Sequence, residues 1–127
     1  MLSDDLSSIL PAFVRNTRGH SIGPSTREIR ELAEHCGLPV PSDSSGKEHL
    51  VRQLVRDAVT DNPAAGERFV ERFLRLARGL GGFDERDANY AGTEAIERLR
   101  TALSREGWDL MSDGTVLPKQ LDSLSHE

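Results

Sequence analysis

The chain has 127 residues and a formal net charge of −5, a length that makes one domain able to bury roughly two thirds of the surface its unfolded form exposes. The negative balance excludes a protein whose main task is coating nucleic acid or an anionic membrane, because neutralising phosphates requires a positive surface. Cys36 is the single cysteine, which excludes an intrachain disulfide framework and a cysteine-based zinc site.

Trp108 and Tyr90 are the only residues of their types, so the core must be mainly aliphatic, and that suits helices better than a β-sandwich. The N-terminus carries Asp4 and Asp5 where a signal peptide would carry Lys or Arg. No apolar run approaches the roughly 20 residues that span a bilayer. A cytoplasmic protein is expected, with no membrane partner.

From Asp4 to Asn16, Leu6, Ile9, Leu10, Phe13 and Val14 fall at helical spacings, and Pro11 should bend or restart the helix. Gly19, Gly23 and Pro24 mark the next stretch as loop. Ser25 and Glu28 have the capping-box spacing, followed by Ile29, Leu32, Ala33 and Cys36 on one face and by Gly37 as a stop. Pro39 and Pro41 hold an extended linker. Ser45 and Glu48 repeat the capping-box spacing ahead of a wide apolar stripe of Leu50, Val51, Leu54, Val55, Ala58 and Val59, the mark of a central helix. Asn62 and Pro63 supply a cap and first position for a further helix carrying Phe69, Val70, Phe73, Leu74, Ala77 and Leu80. Glycines end it, and a polar loop leads to Thr93, placed to cap a helix of Ile96, Leu99, Ala102 and Leu103 that Gly107 closes.

The stretch "GWDLMSDGTVLP" then reads as a β-hairpin turned by Asp113 and Gly114, with both turn residues at positive φ. That register pairs Ser112 with Thr115, Met111 with Val116 and Leu110 with Leu117. Strands this short need an anchor on the helices, and Trp108 is the natural one. Leu117, Leu121 and Leu124 resume helical spacing beyond Pro118. The predicted fold is mainly α: a bundle of about five helices over residues 1–118 with a short hairpin at about 108–117, residues 119–127 beginning a connection to a further C-terminal domain.

Two pairs, Arg15 with His20 and Arg30 with His35, have the Arg, four residues, His spacing of HEPN-like helical ribonucleases. With 16 basic residues and 4 histidines in the chain, such spacings arise by chance, and a lone motif has little specificity. The first pair also falls in a glycine-containing loop. Arg68, Arg72 and Arg75 stack on one helix face and could grip an acidic partner or phosphates. The acidic net charge favours protein over nucleic acid there. "SSGKEH" lacks the first glycine of a phosphate loop and has Glu48 where the magnesium-binding hydroxyl belongs. No two histidines sit at i and i+4, and Asp84, Glu85 and Asp87 lack the alternation of a calcium loop. No cofactor, metal or catalytic set is therefore assigned, and Arg68, Arg72 and Arg75 are the candidate binding residues.

Gly92, Glu94, Ile96, Leu99, Leu103, Gly107, Trp108, Leu110, Asp113, Gly114 and Pro118 together resemble the region just upstream of the C-terminal domain in bacterial abortive infection (Abi) family proteins. The resemblance covers roughly the last third of the chain. It implies a role in defence against bacteriophage, as the non-catalytic sensing, regulatory or assembly part of a longer protein whose nuclease-like effector would follow. Partners would be another protein or further copies of the chain, with a phage or host signal as trigger. The alternatives are a small HEPN-like ribonuclease using the Arg and His pairs, and a nucleic-acid-binding module using Arg68, Arg72 and Arg75.

Overall fold

A computed structural model describes residues 3–17, 20–41 and 46–118. The chain is mainly helical. Helix α1 (Asp5–Ile9) passes directly into a 3-10 helix (Leu10–Val14) with Pro11 in its first turn, so the proline restarts the helix, as its missing N–H requires. Two short strands follow, β1 (Asn16–Thr17) and β2 (His20–Ser21), antiparallel in the register Asn16 to Ser21 and Thr17 to His20. The sequence predicts helix as far as Asn16 and plain loop beyond it, whereas the helix ends at Val14 and Asn16 is in β1. Runs of two residues are too short for the alternation that identifies a strand.

Helix α2 (Thr26–His35) begins with the complete capping box: Glu28 N donates to Ser25 Oγ at 3.1 Å and Ser25 N donates to Glu28 Oε1 at 2.8 Å. Helix α3 (Lys47–Asp61) is capped by Gly46 without a side-chain bond, which replaces the Ser45 and Glu48 box; Ser45 itself lies outside the described residues. Asn62 Oδ1 accepts from Ala65 N at 3.3 Å to start α4 (Pro63–Gly79), with Pro63 in the first turn as expected. Helix α5 (Thr93–Arg105) is capped by Gly92. Thr93 is thus inside the helix, and its hydroxyl pairs with Tyr90 OH at 2.9 Å instead.

Helix α3 touches α1, the 3-10 helix, α2 and α4. Its Leu50, Val51, Leu54, Val55 and Ala58 are all buried, so the widest apolar stripe in the sequence occupies the centre of the bundle. Phe69 and Phe73 of α4 stack with centroids 5.8 Å apart, and Leu99 and Leu103 of α5 close the other side of the core. The polar loop before α5 is a run of turns. Asp84 and Asp87 accept the N–H groups of Arg86 and Asn89 at 3.0 and 2.8 Å, the Asx geometry that these residues favour.

Strands β3 (Trp108–Leu110) and β4 (Val116–Pro118) form the expected terminal hairpin in a different register: Trp108 to Pro118, Asp109 to Leu117, Leu110 to Val116. The turn is longer than two residues. Met111 N donates to Thr115 O at 2.8 Å and Gly114 N to Met111 O at 3.0 Å, and only Gly114, at φ 96°, is left-handed. This is the three-residue loop in which a tight turn is followed by a left-handed glycine. It spares Asp113 the positive φ that the two-residue turn demands. A one-residue slip exchanges the faces of a strand: Leu110 turns inward to burial, while Met111 and Leu117 stand outward, 45% and 47% exposed. Strand β3 lies against α5, and β4 against α4. The expectation for residues 119–127 falls outside the described residues.

Candidate functional site

Helix α4 has two dissimilar sides. Ala65, Phe69, Val70, Phe73, Leu74 and Ala77 are buried in the core. Ala64, Glu67, Arg68, Glu71, Arg75 and Arg78 recur at three and four residues, which puts them in one stripe on the opposite side. The terminal hairpin lies beside this stripe and leaves a groove with two connected parts. The larger hollow, about 350 Å³, is lined by Ala64, Glu67, Arg68, Glu71, Trp108 and Val116. The smaller, about 60 Å³, is lined by Glu71, Arg75, Arg78, Gly114, Thr115 and Val116. Trp108, Val116 and Ala64 supply an apolar floor, and the long charged side chains of α4 supply the wall.

The hairpin tip is fastened to α4. Arg78 Nη1 donates to Thr115 Oγ1 at 2.8 Å, and Asp113 Oδ1 accepts from Thr115 N at 2.9 Å. The bonds from Thr115, backbone first and side chain second, hold the Asp113 carboxyl below the usual aspartate range despite a small opposing desolvation, with the Arg78 charge assisting.

Of the three arginines read from the sequence, Arg68 and Arg75 line the groove and Arg72 lines neither part of it. Arg68 Nη2 donates to Cys36 O at 3.2 Å, tying α4 to the end of α2. Arg75 Nη2 pairs with Glu71 Oε2 at 2.6 Å. Arg72 is exposed, and among the described residues no hydrogen bond or ion pair engages it. Sequence reasoning missed Arg78, Glu71 and Val116 as groove residues, and gave Trp108 only an anchoring role. For Arg78 a signal existed, since it continues the arginine series three residues beyond Arg75.

Arg15, His20 and Arg30 each contact a main-chain carbonyl. Arg15 Nη2 donates to Tyr90 O at 3.4 Å, and His20 Nε2 lies 3.0 Å from Ala88 O, a contact that needs the Nε2–H form because a carbonyl only accepts. Both therefore tie the N-terminal strands to the loop before α5. Arg30 Nη2 donates to Pro41 O at 3.0 Å. His35 stands five residues further along α2, about 140° around the helix axis, so that pair is not brought together on one face.

Lys47, in the stretch compared with a phosphate loop, is buried, and its Nζ donates to Ile22 O at 2.8 Å and Pro24 O at 2.9 Å. Burial pushes its pKa down, against the opposing charges of Glu28 and Glu48. It fastens the start of α3 to the segment before α2. Among the described residues no group of three or more His, Cys, Asp or Glu could hold a metal ion, and no helix is long and apolar enough to cross a membrane. Searches of protein-family models, curated proteins and solved structures return no match to the chain.

Proposed function

We propose that this chain is a non-catalytic interaction domain, the sensing, regulatory or assembly part of an abortive infection protein that acts in the bacterial cytoplasm against phage. The observation that carries the interaction reading is the groove between α4 and the hairpin, where Arg68, Arg75 and Arg78 of α4 stand beside an apolar floor containing Trp108. Apolar floors rimmed by arginine are where binding energy concentrates in protein interfaces. The hydrogen bonds of Arg15, His20 and Arg30 to main-chain carbonyls support a structural rather than catalytic use of those residues. The defence setting is supported by the resemblance of residues 92–118, whose glycines and leucines serve turns and core here.

The test is phage challenge of bacteria carrying the native gene or its Arg75→Glu version, which reverses an exposed charge lining the groove. Lower plaque counts with the native gene and loss of that protection in the variant are expected. Protection that survives Arg75→Glu would count against the groove. Purified chain incubated with RNA is expected to leave it intact; cleavage abolished by His20→Ala or His35→Ala would replace this reading with the ribonuclease.

A further inference from the structure

We infer that residues 119–127 fold back over the larger hollow between α4 and the terminal hairpin and seat Leu121 and Leu124 on its apolar floor, so that the chain covers its own groove. The consequence rests on the interaction-domain reading: a partner gains the floor by displacing this segment.

The place where the segment starts is the first support. Pro118 is the last residue of β4 and stands opposite Trp108 in the ladder, and Trp108 and Val116 are floor residues of the larger hollow. The residues after Pro118 therefore begin at its edge. Leu121 is three residues on and Leu124 six, within about 10 and about 20 Å of extended chain, so both reach the floor. A tether this short holds the leucines at an effective concentration on the order of millimolar, an advantage that a separate molecule lacks.

The lining is the second support. Ala64, Trp108 and Val116 are apolar. Of the charged residues around them, Arg68 donates to Cys36 O, Glu71 pairs with Arg75, and Glu67 is engaged as well. A wall whose charges are already engaged selects its occupant by apolar fit, which is non-directional and scales with the area covered. Residues 119–125 suit it: their one cation, Lys119, and one anion, Asp122, cancel, and their only apolar side chains are Leu121 and Leu124. A single helical turn sets leucines three residues apart side by side and turns Ser123 and His126 to the other side.

Trp108 is the only tryptophan, so its emission and its quenching by acrylamide report on the floor directly. In the full chain, Leu121→Asp with Leu124→Asp is expected to shift Trp108 emission to the red and to raise quenching, while far-ultraviolet circular dichroism shows the helices retained. Leu121→Ala with Leu124→Ala should act in the same direction and less strongly, since it removes apolar contact without adding charge. Ser123→Asp with His126→Asp adds acidic residues on the other side and should change neither signal. Emission and quenching unchanged by the leucine variants overturn the cover, and equal effects of the two aspartate pairs overturn the seating of the leucines. The native signal should be independent of protein concentration; quenching that rises on dilution gives the hollow to a second copy instead. An unaltered Trp108 with phage protection that depends on Arg75 refutes the cover and leaves the interaction domain standing. A Trp108 uncovered by the leucine variants with protection indifferent to Arg75 does the reverse.

Discussion

Gly114→Ala tests how the hairpin is held. Gly114 sits at φ 96°, and a Cβ added there would lie 2.7 Å from Cδ1 and Cγ of Phe83 and 3.2 Å from Cγ of Arg78. Phe83 cannot easily retreat, because its ring stands 5.4 Å, centroid to centroid, from the buried Phe13. Two costs therefore add: about 1 kcal/mol for an L-residue in the left-handed region and about 1–3 kcal/mol for overpacking. Gly107 isolates the first. It has φ 85°, and a Cβ added there would meet nothing within 4 Å, so Gly107→Ala should cost about 1 kcal/mol alone. Urea unfolding followed by far-ultraviolet circular dichroism should place Gly114→Ala about 2–4 kcal/mol below the native chain, which leaves a domain of ordinary stability folded. Equal losses for the two variants would show that the Phe83 contact yields, and the seating of the hairpin on Phe83 would have to be abandoned.

Lys47→Met removes both donors from Ile22 O and Pro24 O and should cost about 2–4 kcal/mol in the same assay, since buried acceptors are left unpaired. Because the folded Lys47 pKa lies below the unfolded one, the unfolded chain binds more protons between the two values, and stability rises with pH there. The advantage of the native chain over Lys47→Met should therefore grow as pH rises toward the ordinary lysine value, about 10.4; a shrinking advantage contradicts the assignment. Asp113 has the opposite protonation chemistry. Its lowered pKa contributes stability above the ordinary aspartate range that disappears as pH falls through the folded value. Between about pH 5 and about pH 3 the native chain should lose more stability than Asp113→Asn, and parallel losses would remove Asp113 from the hairpin tip's support. Ser25→Ala should cost about 1 kcal/mol by undoing the capping box, and a change under about 0.3 kcal/mol would mean that water replaces the cap.

The helices are legible because their signals are local. The period of apolar residues from Leu50 to Val59 and from Phe69 to Ala77, the Ser25 and Glu28 pair and the Asn62 and Pro63 start each declare themselves within a few residues. Caps supplied by Gly46 and Gly92 escape such reasoning, because a nearby Ser or Thr is the commoner cap and nothing local shows that the backbone turns at the glycine. Lys47 is illegible for a different reason. Lysine is rarely buried, and its two carbonyl partners lie 25 and 23 residues away. The contacts of Arg15 and His20 are illegible for the same reason, since the carbonyls that they reach, in the loop before α5, lie 75 and 68 residues away.

The groove illustrates how small a local choice decides a site. Had Asp113 and Gly114 formed a two-residue turn, Met111 would face Val116 and Leu110 would face Leu117. The observed turn lets Gly114 alone take the left-handed conformation, which moves the pairing by one residue. Trp108, Leu110 and Val116 then share the inward face, and Val116 reaches the α4 side of the hairpin. That register gives the groove the Val116 part of its floor. The arginine stripe alone, visible in the sequence at Arg68, Arg72 and Arg75, is a common solvated helix surface. It becomes a candidate site through the apolar residues set opposite it, and their placement follows from the conformation of one glycine.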